Sequence, residues 1–241
     1  MDDFMRYHVD SGADITVMYT ADPRMQRDEF GTYLAVDENG EVTDVEVDPT
    51  HPTLPNTFMN VLMIRRDLLR ELVDASVAHG HHELNRDVIL PLVENKRAHI
   101  KAYAYTGLCW NIDSVQSYFR FNMDVLDSEI RHRLFTADKP VFTKVRDEMP
   151  ASYGDEAQVV NSLIADGCVI EGQVENSILF RGVRIAAGAH VKNCIIMQDG
   201  QVHAGADIEN CILDKQAVIK RNARLIGPEQ YPIVIAKNVV I

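Results

Sequence analysis

The sequence contains no Gly-x-Gly-x-x-Gly and no glycine-rich loop followed by lysine, so it lacks the usual backbone cradle for a nucleotide phosphate. It carries no nucleophile motif. Four cysteines in 241 residues do not make a disulfide scaffold. No run reaches the roughly 18 apolar residues that a membrane span needs. Basic residues are scarce: 24 Lys and Arg stand against 36 Asp and Glu, a formal charge of -12. So acidic a chain cannot offer a broad phosphate-backbone footprint, which argues against a nucleic-acid binder. The imbalance is local, since residues 1–60 hold thirteen acidic and three basic side chains. The opening Met1-Asp2-Asp3-Phe4 has neither the basic region nor the apolar stretch of a signal peptide, and the expectation is a cytoplasmic protein. What is present is ordinary for a globular chain, with 46% apolar and 25% charged residues. The length suffices for one large domain or two modest ones.

Two regions follow different periods. Residues 1–135 mix helix and strand signals. Phe4, Tyr7 and His8 recur at helical spacing, and Gly12 stops the helix. Strands are expected over 13–20 and 31–36, with a turn at Asp37-Glu38-Asn39-Gly40 and a further strand through Val42, Val45 and Val47. Pro49, Pro52 and Pro55 enforce a loop, and 60–64 reads as a buried strand. Asp67 is expected to cap a helix whose stripe is Leu68, Leu69, Leu72 and Val73. A second helix is expected over 83–95, bent or delayed by Pro91. A strand over 100–105 and a helix over 114–126 complete an α/β pattern.

From 159 onward the chain repeats itself. Val159-Val160-Asn161-Ser162-Leu163-Ile164, Val174-Glu175-Asn176-Ser177-Ile178-Leu179, Val191-Lys192-Asn193-Cys194-Ile195-Ile196 and Ile208-Glu209-Asn210-Cys211-Ile212-Leu213 are copies of one unit. Aliphatics recur every six residues inside a step of 17, as in Leu179, Ile185, Val191 and again Ile196, Val202, Ile208. Three six-residue faces per coil make a parallel β-helix of hexapeptide type, because no coil can bury its apolar side without a neighbour above and below. Six is not a multiple of 3.6, so an α-helix cannot use the pattern. Residues 136–158 are read as a linker and 159–241 as the β-helix.

Candidate chemistry outside the repeats is thin. His79, His81, His82 and Glu83 are metal-ligand types, but their spacing reads as an exposed helix approach rather than a metal site. Cys194 and Cys211 occupy equivalent places where Ser162 and Ser177 stand in the other units, a small-residue packing slot. Lys144 and Arg146 form one of few compact basic spots and read either as contacts for a phosphorylated metabolite or as a solvated face beside Asp147 and Glu148.

Several stretches resemble bacterial glucose-1-phosphate adenylyltransferase (ADP-glucose pyrophosphorylase), in the form of its second, regulatory-type subunit. They are His8-Val9-Asp10-Ser11-Gly12-Ala13-Asp14-Ile15-Thr16, Phe142-Thr143-Lys144-Val145-Arg146-Asp147-Glu148-Met149-Pro150, the run from Asn161 to Gly172, Ser177 to Val183 and Asn193 to Asp199. The resemblance implies an incomplete nucleotidyltransferase α/β domain of Rossmann-like type followed by a left-handed parallel β-helix. It also implies that the chain begins about a hundred residues inside a full-length member, as a fragment, a mis-called start or a split form. The glycine-rich loop that holds the nucleotide in that family then lies outside it.

The resemblance further implies a degenerate sugar-phosphate pocket at Val47, Asp48, Thr57, Asn111 and Asp113. Where catalytic members carry Glu-Lys-Pro, this chain has Val47-Asp48-Pro49. Where they carry Trp-Arg-Asp-Val-Gly-Thr, it has Cys109-Trp110-Asn111-Ile112-Asp113-Ser114, so a neutral Asn111 stands in for the metal-binding Asp. Asp113 takes that role only after a local shift. The expectation is therefore no catalytic residue, no metal and no cofactor in the isolated chain, although the family reaction uses Mg²⁺. The expected partner is a catalytic adenylyltransferase subunit, or a second copy through the β-helix, with Lys144 and Arg146 sensing a phosphorylated effector. A competing reading is a complete catalytic nucleotidyltransferase represented by a truncated gene model. Another is a hexapeptide acyltransferase using His190 or His203 between coils.

Overall fold

The computed structural model describes residues 2–25, 31–136, 140–143 and 147–241. By internal contacts it divides into two units, Met1–Cys109 and Trp110–Ile241.

In the first unit, helix α1 (Asp2–Ser11) opens with Asp2 and Asp3, acids that suit the positive end of a helix. Phe4 is its buried anchor, 5.3 Å from the Tyr103 ring, and the Tyr7 hydroxyl donates to the Ala102 carbonyl at 3.1 Å. Gly12 ends the helix at φ +61°, a conformation open to glycine. Five strands follow: β1 (Ile15–Thr20), β2 (Thr32–Val36), β3 (Val42–Val47), β4 (Asn56–Ile64) and β5 (Ile100–Ala104). They form one sheet in the order β3-β2-β4-β1-β5, parallel only between β1 and β5. The β2–β3 turn is fastened by Asp37, whose carboxylate accepts the N–H groups of Asn39 and Glu41.

One sheet face is apolar. Ile15, Val17, Leu34, Val45, Phe58, Ile100 and Ala102 pack against Leu68 and Leu72 of helix α2 (Arg66–His79) and against Ile89 and Leu92. Helix α2 is not capped by Asp67 as expected. The capping position is Arg65, which makes no side-chain capping bond, and Asp67 lies in the first turn. The strand expected to begin at Asn60 begins at Asn56, because Asn56 and Thr57 pair with β2 and Thr57 and Phe58 with β1, beyond a bulge near Asn60 (φ +55°) where the β1–β4 register slips. The expected 83–95 helix is a wide π-type turn over Leu84–Ile89 followed by helix α3 (Leu90–Glu94). Leu90 N–H reaches Asn85 O, five residues back, just before Pro91, which has no N–H to donate.

The second unit begins with helices α4 (Val115–Asp124) and α5 (Ser128–Leu134). Ser114 caps α4 in a reciprocal box with Ser117, and Asp127 caps α5 through Glu129 N–H. Thirteen short strands then wind a parallel β-helix with three ladders. One runs β6 (Ser152–Tyr153), β9 (Val169–Ile170), β12 (Arg184–Ile185), β14 (Gln201–Val202) and β16 (Val218–Ile219). A second runs β7 (Gln158–Val160), β10 (Gln173–Glu175), β13 (His190–Ile196), β15 (Asp207–Leu213) and β17 (Arg224–Ile226). A third joins β8 (Leu163–Ile164) and β11 (Ile178–Leu179) to the later halves of β13 and β15, and ends at β18 (Ile233–Ile235). The 17-residue step is the register itself, with Val174 beside Val191 and Val191 beside Ile208.

Corners are turned by left-handed residues in columns. Asn161, Asn176, Asn193 and Asn210 hold one corner at φ +43° to +52°, and Gly167, Gly182, Asp199 and Gln216 hold another. The aliphatics recognised at six-residue spacing fill the interior: Leu179, Ile185, Val191, Ile196, Val202 and Ile208 are all 2% exposed or less. The chain divides after Cys109 and not near 135 for a packing reason. Phe119 of α4 is buried on Ile195 and Ile212, which point outward from the coils, so α4 belongs with the β-helix.

Candidate functional site

Val47 ends β3 opposite Thr32 and packs against the apolar cluster under the sheet. Asp48 follows at φ +48°, and both its carboxylate oxygens are engaged: one accepts Gly31 N–H at 3.0 Å, the other faces Arg86 Nη2 at 3.0 Å. Glu46 accepts the Thr53 hydroxyl and the N–H groups of Thr53 and Leu54, so it clamps the proline-rich loop. The Thr53 hydroxyl and these N–H groups hold its carboxyl below the usual range. Thr57 lies on β4 opposite Tyr33, on the face away from Phe58, and its buried hydroxyl oxygen has no hydrogen-bond partner among the described residues. Val47 and Thr57 thus flank β2 at the same end of the sheet, with side chains on opposite faces.

Asn111 and Asp113 sit in the approach to α4. The Trp110 indole N–H donates to Asp124 at 3.0 Å and its ring meets Phe121 edge-on at 5.0 Å. The Ser117 hydroxyl accepts Asp113 N–H and donates to its carboxylate, so Asp113 is part of the helix cap. Asn111 is exposed. Lys144 and Arg146 lie outside the described residues. Among the described residues no three His, Cys, Asp or Glu side chains are grouped to hold a metal ion. His79 bonds back to Ala75 O and stacks on His81 at 5.7 Å. Cys194 and Cys211 are in-register neighbours, both fully buried, and burial pushes the Cys194 thiol well up. His190 is exposed on β13.

The repeat reading caught the asparagine column but not what it lines. Asn161 donates its amide to Asn176, Asn193 to Asn210 at 3.1 Å, and Asn210 to the Gly227 carbonyl at 2.8 Å. The ladder forms one wall of a groove of about 770 Å³ within the second unit. Helices α4 and α5 form the opposite wall. At Gly227 the corner opens into a loop, Pro228 to Pro232, before Ile233 rejoins the ladder beside Cys211. Glu229 and Gln230 of that loop also line the groove. An extra stretch of residues beyond the 17-residue step was its one visible sign in the sequence.

A family model described as the GlmU-like, C-terminal hexapeptide matches residues 148–230. The Bacillus subtilis (strain 168) glycogen biosynthesis protein GlgD is 37% identical over 199 residues, 82% of this chain and 57% of the relative. The chain is similar to the glucose-1-phosphate adenylyltransferase family. Glucose-1-phosphate adenylyltransferase of Geobacillus stearothermophilus is 31% identical over 187 residues, 77% of this chain and 48% of that enzyme. The enzyme of the same name from Desulfitobacterium hafniense (strain Y51) is 28% identical over 189 residues, with 78% and 47% covered. The chain spans about half the length of the curated relatives it matches.

Proposed function

We propose that the chain is an accessory, regulatory component of ADP-glucose synthesis for glycogen in the cytoplasm, without catalytic activity of its own. The observation that carries this reading is the end of β3. At the place that the resemblance gives to a sugar-contacting Glu and a phosphate-binding Lys, Val47 is half-buried against the core and Asp48 is held by Arg86 and Gly31. An apolar side chain cannot bond sugar hydroxyls, and an anion there repels a phosphate. Transfer of a nucleotidyl group depends on electrostatic stabilisation of the phosphates in motion, and Asn111 offers a metal no charge. The similarity to GlgD supports the accessory role.

Its partner is a catalytic adenylyltransferase subunit engaged through the β-helix, and Lys144 with Arg146 receives a phosphorylated effector. The pure chain given ATP, Mg²⁺ and glucose 1-phosphate is expected to release no diphosphate, and sustained turnover defeats the reading. Mixed with a catalytic subunit, it is expected to co-elute in size exclusion and to change that subunit's response to effectors. Separate elution of two folded proteins counts against the partner. Replacing Lys144 and Arg146 by alanine is expected to leave co-elution intact and to remove the effector response.

A further inference from the structure

The groove beside the asparagine ladder belongs to none of the positions discussed for nucleotidyl transfer, and its chemistry is two-sided. Its helical wall is mixed: Met123 and Ile130 present half-buried apolar surface over the buried Phe119 and Leu126, beside Gln116, Arg120, Asp124 and Asp127. Its other wall is an amide column, repeated once per coil at the spacing of about 4.8 Å between strands. Each asparagine nitrogen has two hydrogens. The ladder bonds of Asn161, Asn193 and Asn210 each use one; Asn161 is exposed and Asn193 half-buried, so a second donor on each can reach the groove, whereas Asn210 is buried. Gln116 and Gln230 add two more amides to the lining.

The charge balance selects among ligands. Among the described residues Arg120 is the one cation lining the groove, against Asp124, Asp127 and Glu229. A phosphate or carboxylate ligand meets net repulsion there. A peptide asks for paired backbone partners in a strand-like edge, whereas the ladder offers side-chain amides at a corner. A sugar matches this mixture: its C–H face can rest on Met123 and Ile130, and its hydroxyls can donate to the carboxylates and accept from the amides and Arg120. The volume of about 770 Å³ lies within the range of small-ligand sites, and holds several rings.

We propose that this groove binds a neutral oligosaccharide, with ring faces on the α4–α5 wall and hydroxyls on the amide ladder, Gln116 and Gln230. The proposal rests on the groove alone and stands or falls apart from the accessory-subunit reading.

The test is titration of the full chain with maltoheptaose, with cellohexaose, glucose 1-phosphate and inorganic phosphate as separate arms, read by calorimetry and by amide chemical shifts. Saturable binding of at least one neutral oligosaccharide is expected, with a dissociation constant on the order of 1 mM or tighter. The shifted signals are expected at the asparagine column and in α4. Gln116→Ala combined with Gln230→Ala is expected to weaken binding at least about tenfold, the loss of roughly one ligand hydrogen bond. Gln116 is half-buried and Gln230 exposed, so the melting temperature is expected to hold, and a circular dichroism melt checks that the variant folds. No saturation by either oligosaccharide up to about 20 mM overturns the proposal. So does binding that the folded double variant retains in full, or tighter binding of either phosphate compound.

Discussion

A single asparagine per coil decides how the β-helix turns. Asn193 sits at φ +48° and donates to Asn210, so its side chain and its backbone contribute separately. Asn193→Gly keeps the left-handed turn and loses the rung; Asn193→Ala loses both. We expect a destabilisation of about 1 kcal/mol for the glycine variant and roughly 1–2 kcal/mol more for alanine, read from urea midpoints. Equal effects refute the split. Charge at single sites sets the acid limit of the first unit. Burial raises the Glu41 pKa, but hydrogen bonds from Lys101 and His99 outweigh it and hold the carboxyl low. Glu46 and Asp87 are also held low, Glu46 chiefly by Thr53 and Asp87 by Glu83 N–H. A carboxyl depressed in the folded state stabilises above its unfolded pKa of about 4, and that contribution is lost as pH falls through the folded value. Stability is therefore expected to be flat from pH 7 to about 5 and to fall below about 4, with Glu41→Gln showing a shallower fall. A parallel slope for variant and parent contradicts the assignment.

Among the elements, α4 shows how sequence and packing divide the work. Its boundaries were legible because Ser114 is a strong cap and Val115, Tyr118, Phe119 and Met123 keep helical spacing. Its destination was not, because an apolar stripe does not say which surface it covers. Ile195 and Ile212 point outward to receive Phe119, while their neighbours Cys194 and Ile196 point in. Phe119→Ala is expected to cost about 3–5 kcal/mol and to leave Ile195 and Ile212 exposed. Thermal unfolding with a dye for apolar surface checks both, and a loss under about 1 kcal/mol removes α4 from the β-helix core. Similar logic explains α3. Pro91 announced a disturbance in the helix, but only the backbone shows a wide turn as the solution.

At the level of the molecule, the two units bury their apolar residues differently. The β-helix encloses one continuous column from Cys168 to Ile235. The first unit leaves Leu69, Val73 and Val77 of α2 and nearby Leu84 between 41% and 76% exposed, around a small cavity of about 240 Å³. Contiguous exposed apolar surface marks an interface or a liability to self-association. Hydrogen exchange is expected to slow most in β13 and β15 and to be faster throughout α2, since local opening follows the density of buried contacts. Val73→Lys with Val77→Lys is expected to lower apolar-dye binding without lowering the melting temperature. A cooperative loss of the fold in that variant means the surface is part of the first unit's own core.

The β-helix could be read from the order of residues because its period is local. A six-residue step within a 17-residue step dictates which aliphatics face inward, and left-handed corners select Asn and Gly whatever else the chain does. Strand and helix positions in the first unit followed from alternation and turn chemistry to within a few residues, apart from the bulge at Asn60 and the wide turn before Pro91. The groove was decided only in three dimensions. Its walls come from α4, from corners spaced along the chain from Asn161 to Asn210, and from a loop near residue 230. Nothing in linear order relates them, and burial of Phe119 against Ile195 and Ile212 is what brings the helical wall to face the amides.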